Sequence, residues 1–126
     1  MPILIRLDPD LRILFTTAEG VVTLDDIRRH LDEEFRAGLI AYRELFDATK
    51  AQTNLTADEA RSIAGRLTTM MQTQILGPTA VITVNEVFYG MARMIEILTE
   101  LHNGPKIRVF RSFDEGLGWL LRIEET

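Results

Sequence analysis

At 126 residues the chain has the size of one domain and the length for one continuous core. Its 46% hydrophobic and 26% charged residues give the balance of a soluble globular protein, not a disordered one. The absence of cysteine excludes disulfides, thiolate metal sites and cysteine nucleophiles and fits a reducing, cytoplasmic setting, while a net charge of −5 opposes nucleic acid as a partner.

Ile3 to Leu7 reads as a strand, without the basic start or small-residue cleavage site of a signal peptide. Asp8-Pro9-Asp10 supplies turn chemistry, and Arg12 to Thr17 is a second β-prone run, so the two pair as a hairpin at an antiparallel edge. After Gly20, Thr23 stands at a helix N-cap with Asp25 and Asp26 in the first turn, where the helix dipole favours them. Leu24, Ile27, Leu31 and Phe35 recur at helical spacing until Gly38 ends the pattern. Asp26, His30 and Glu34 form a neighbouring stripe at four-residue steps. Set among Arg28, Arg29 and Arg36, it has the look of a solvated helix face, and no metal site is expected there.

A third, shorter strand around Leu45 and Phe46 ends at Asp47, followed by a polar loop from Ala48 to Leu55. Thr56-Ala57-Asp58-Glu59 is a capping box opening a second helix, with Ala60, Ile63, Ala64, Leu67, Met70 and Met71 on one face and Gly77-Pro78 as its stop. Thr79 to Val84 is apolar on both sides, as a central parallel strand covered by helices should be. Asn85 caps a third helix running to about His102, and Gly104-Pro105 closes it. Lys106 to Phe110 is a fifth strand, and Ser112 opens a fourth helix through Trp119 to about Ile123. The order β-β-α-β-α-β-α-β-α predicts a single α/β domain over residues 1–126. Its five-stranded sheet is mostly parallel, with an antiparallel N-terminal edge strand and helices on both faces.

Ligands of open α/β sheets gather beyond the carboxyl ends of the strands. That edge collects Thr53, Asn54, Asn85, Tyr89, Arg111 and Ser112, a candidate anion or ligand site, with Thr49 to Asn54 as the longest candidate functional loop. Thr23, Thr56, Asn85 and Ser112 each have a second, purely structural job as helix caps. Catalytic patterns are absent. There is no Gly-x-Ser-x-Gly, no phosphate loop and no dinucleotide fingerprint, and neither Ser62 nor Ser112 has a histidine nearby in sequence. No cofactor is expected. No apolar run approaches the roughly 20 residues that span a bilayer, so no stable membrane insertion is expected either.

The third helix has an unusually wide apolar arc. Val87, Met91, Met94, Leu98 and Leu101 form one stripe, Phe88, Ala92 and Ile95 a second, and Ile97 widens it; Trp119 and Ile123 broaden the fourth helix in the same way. Three readings are open: the two helices pack on each other as well as on the sheet, Met91, Met94, Ile97, Leu98 and Trp119 form a homodimer interface, or they bound an apolar ligand pocket.

The hairpin, Gly20 with Thr23-Leu24-Asp25-Asp26, the strand ending in Asp47, Tyr89-Gly90-Met91-Ala92-Arg93 and above all the segment Val109 to Leu120 resemble the SpoIIAA-like (STAS/SEC14-like) bacterial proteins over nearly the whole chain. These are relatives in fold of the anti-sigma-factor antagonists. The resemblance implies a fold more than an activity; the expectation drawn from it is a non-enzymatic cytoplasmic regulatory or protein-binding module with a regulatory protein partner, and the broad apolar third helix adds the expectation of a homodimer. It also implies a possible phosphoacceptor at Thr56, although this chain reads Leu55-Thr56-Ala57-Asp58 where those switches read Asp-Ser-Ser-Gly. The SEC14 likeness implies the alternative, a small apolar-ligand binding protein.

Overall fold

The computed structural model describes residues 3–123. Strand β1 (Ile3–Asp8) ends in a turn held by the Asp8 carboxylate, which accepts from the amides of Asp10 and Leu11 at 3.0 Å. The chain returns antiparallel as β2 (Ile13–Val22). Helix α1 (Leu24–Arg36) starts at the Thr23 cap and ends before Gly38, whose positive φ of 73° suits a residue without Cβ. Then come β3 (Arg43–Thr53), α2 (Ala57–Met71), β4 (Thr79–Ile82), α3 (Glu86–Leu101), β5 (Ile107–Phe110) and α4 (Phe113–Arg122).

The sheet order is β1-β2-β3-β4-β5, with β1 antiparallel and the rest parallel, so each crossover steps one strand in the same direction. Right-handed crossovers that all step one way place α1, α2 and α3 on one face. The other face is left to α4. Side chains divide accordingly. Ala18, Val22, Phe46, Ala48 and Ala51 pack with Phe88 and Ala92 of α3, whereas Ile13, Leu45, Ala80 and Ile82 pack with Leu120 of α4.

Two expectations are corrected here. The third strand does not stop at Asp47; it continues to Thr53, so the segment from Ala48 was never a loop and the candidate functional loop disappears. Glu19–Val22 of the similarly long β2 pair with Lys50–Thr53, and a register shift near Thr17 carries Ala48 and Ala51 onto the same buried side. Small alanines and interleaved polar residues gave that stretch a loop-like composition. The third and fourth helices also do not pack on each other, because the sheet lies between them.

Edge strand β5 is closed by a side chain: the Glu96 carboxylate of α3 accepts from the backbone N–H of Val109 at 2.9 Å and pairs with Arg93.

Helix α4 lies close on the sheet at Gly116, where an added Cβ would fall 2.2 Å from the Ile82 side chain and 3.3 Å from the Phe110 ring. Gly65 of α2 faces open space. The two positions should therefore respond oppositely to alanine in urea unfolding. Gly65→Ala should gain roughly 0.5–1 kcal/mol from helix propensity, and Gly116→Ala should lose about 1–2 kcal/mol because overpacking outweighs that gain. A stabilising Gly116→Ala would contradict this packing.

Candidate functional site

On α1, Ile27, His30, Leu31 and Glu34 recur at three- and four-residue steps and share one side. This is the inner side. His30 and Glu34 are buried and Phe35 is half exposed, so the solvated stripe expected for His30 and Glu34 is in fact the covered one. Below it, Glu44 stands two residues before Phe46 on β3 and so projects to the same helix-covered face. Thr16, paired with Phe46 on the neighbouring strand, is buried there too.

These residues converge. His30 Nε2 lies 2.8 Å from Glu34 Oε1 and 2.8 Å from Glu44 Oε2. The Thr16 hydroxyl donates to the same Glu44 oxygen, and the Phe46 ring meets the imidazole edge-on with centroids 5.6 Å apart. Burial lowers the His30 pKa, but the Glu44 carboxylate and hydrogen bonds to both glutamates outweigh it and raise it to about 10. The buried His30 Nδ1 has no partner among the described residues, a cost of about 1–3 kcal/mol that two carboxylates at contact distance exceed. Burial also works to raise Glu44, yet the imidazolium and the Thr16 hydroxyl reverse this and hold it below the ordinary carboxylate range. For Glu34, burial and repulsion from Glu44 prevail over His30 and raise the pKa to about 7. Near neutrality the cluster is an imidazolium–carboxylate pair beside a carboxyl group about to ionise.

His30, Glu34 and Glu44 each offer one metal-ligand atom, all within 4.8 Å of one another. Three protein donors is the count of an open site, one short of structural zinc. Here the same atoms already serve one another, and the Glu44 oxygen facing His30 also takes the Thr16 proton. The arrangement is a proton-sharing network.

The network forms one wall of a partly open cavity of about 130 Å³ bounded by α1, α2, α3 and the sheet. Ile27, Leu31, Ile63, Leu67, Met70, Val81, Met91 and Ile95 supply much of the remaining lining. Among the described residues, His30, Glu34 and Glu44 are its ionisable groups.

The residues of the carboxyl edge are engaged locally. Asn85 and Ser112 accept from the amides of Phe88 and Glu115, and the Thr53 hydroxyl donates to the Val22 carbonyl. Arg111 pairs with Glu86 at 2.6 Å and lies 4.0 Å over the Tyr89 ring. Asn54 follows the end of β3 and is exposed, and Thr56 caps α2 by accepting from Glu59 N–H at 3.1 Å. The apolar residues of α3 separate. Met91 lines the cavity, Met94 and Leu98 are half buried, and Ile97 is exposed. Trp119 lies on α4, packed against Phe110 with centroids 5.9 Å apart, so it does not join Met91 in one surface.

Sequence reading missed Glu44 and misplaced His30 and Glu34. The available signals were the 27-30-31-34 spacing and the two-residue step from Glu44 to Phe46, which together aim three ionisable groups at one layer.

No family model and no curated protein matches the sequence. Among solved structures, the chain is similar to an uncharacterized DUF3478-family protein with a SpoIIAA-like fold from Shewanella loihica PV-4. The two share 19% identity with a TM-score of 0.57, over 94% of this chain and 91% of the other. No helix among the described residues is long and apolar enough to cross a membrane. The five-stranded mixed sheet, its four helices and this likeness together make the fold SpoIIAA-like.

Proposed function

We propose that the protein is a non-catalytic binding module that holds a small apolar molecule between the sheet and its three-helix layer. The observation that carries this is the cavity itself. Its volume of about 130 Å³ and aliphatic lining resemble an engineered cavity of roughly 150 Å³ that stays dry and takes up benzene. Met70 and Met91 add thioether side chains that adapt to an occupant's shape. Binding is favoured over catalysis because, among the described residues, no serine, cysteine or lysine lines the cavity and its histidine and two glutamates are bonded to one another.

Titrating toluene into methyl-labelled protein should shift the methyl resonances of Ile63, Leu67 and Ile95, with a dissociation constant on the order of a millimolar or tighter. Ala92→Leu, which fills the cavity wall from α3, should weaken that binding at least tenfold while circular dichroism stays unchanged. If saturating toluene leaves those methyls unmoved, the reading fails.

A further inference from the structure

We infer that the cavity selects apolar molecules carrying a cationic or hydrogen-bond-donating head, an amine foremost, which the Glu34 carboxylate receives. The inference rests on the apolar-pocket reading and adds the chemistry of the ligand's polar end.

It follows from counting donors. Two carboxylates share one imidazole, and a single ring nitrogen, Nε2, faces both at 2.8 Å. One N–H cannot fully serve two acceptors. Glu44 has a second donor in the Thr16 hydroxyl. Glu34 has none besides the shared imidazole unless it takes up a proton of its own, and it stands in the cavity wall. With both carboxylates ionised the network holds one positive and two negative charges, so an acceptor is left over in an otherwise largely apolar pocket wall. Its raised proton affinity has the same origin in burial and the neighbouring Glu44. A ligand N–H or ammonium would supply what that proton supplies. A ligand carboxylate would instead meet two like charges.

Apart from the His30 imidazolium that the two glutamates already share, no positive charge among the described residues lines the cavity. The lining from α2, α3, β4 and β5 is uncharged, and Asp26, Arg29 and Glu33 of α1 border His30 from a separate small depression next to Ile3. The volume suits a body about the size of a benzene ring.

Toluene, benzylamine and phenylacetate share that body and differ at the head, so their titration into the 126-residue protein at pH 8 tests the inference. Benzylamine is expected to bind at least tenfold tighter than toluene, and phenylacetate at least tenfold weaker than benzylamine. Glu34→Gln should bring benzylamine to within about threefold of toluene. In the unaltered protein, lowering the pH from 8 to 6 should weaken benzylamine severalfold and leave toluene unchanged, a comparison that needs no variant. Equal binding of toluene and benzylamine at pH 8, or an amine preference that survives Glu34→Gln, would overturn the inference and leave the pocket standing. Absence of binding by both toluene and benzylamine would remove the pocket as well.

Discussion

Removing the imidazole at His30 should be the most damaging single change in the protein. His30→Ala leaves Glu34 and Glu44 buried against each other with no cation between them. Deleting one partner of a buried ion pair typically costs about 3–5 kcal/mol. Against a total stability of about 5–15 kcal/mol for a natural domain, that is a large share. The cost belongs to the stranded charges and not to the lost contact, which predicts a contrast. His30→Leu combined with Glu34→Leu and Glu44→Leu should recover most of the loss, because apolar side chains of similar volume need no counter-charge. Urea unfolding of the three proteins measures both effects. A His30→Ala variant within about 1 kcal/mol of the parent would mean that the cluster is not the buried charge network described here.

The second large effect is on pH dependence, and its sign is unusual for an acidic protein. Glu34 has a folded pKa of about 7 against an ordinary value of 4.5. Between those values the folded state binds more protons than the unfolded chain, so stability falls as pH rises through the window. A shift of that size in a buried group corresponds to roughly 3 kcal/mol, or about 10 °C in Tm for a domain of this length. His30 extends the decline. Its pKa is raised, so its contribution is complete below about 6.5 and is lost as pH climbs through about 10. Glu44 works in the opposite sense, since its lowered pKa gives stability present above 4.5 and lost on acidification. Thermal unfolding should therefore show a maximum near pH 5 and a fall toward pH 8, and Glu34→Gln should flatten the portion below pH 7. A Tm that climbs steadily from pH 5 to 7.5 would contradict the assignment of the raised pKa to Glu34.

Most of the architecture was legible because its signals are local. Thr23, Thr56, Asn85 and Ser112 mark four helix starts, and each accepts the expected backbone N–H. The strand expected over Thr79 to Val84 was equally plain, although it ends two residues earlier, at Ile82. What stayed hidden depends on residues far apart in sequence. The second half of β3 is a strand because β2 runs beside it, and nothing in Thr49-Lys50-Ala51-Gln52-Thr53 announces that neighbour. His30 and Glu34 look solvated beside three arginines, and their burial becomes intelligible only once Glu44, 14 residues from His30, is opposite them. Polar residues that satisfy one another in a core mimic a surface when read one at a time.

The Glu96 bond to the Val109 amide also bears on how copies of this chain can meet. An exposed strand edge is a template for another strand, and joining sheets across it is among the simplest routes to assembly or aggregation. At β5 that template has been spent internally, on a carboxylate that also faces Arg93. A second chain pairing there would have to break a charge-assisted hydrogen bond and displace a carboxylate that Arg93 helps to hold in place. Growth of the sheet past β5 is thus opposed by one glutamate, reached across from a helix.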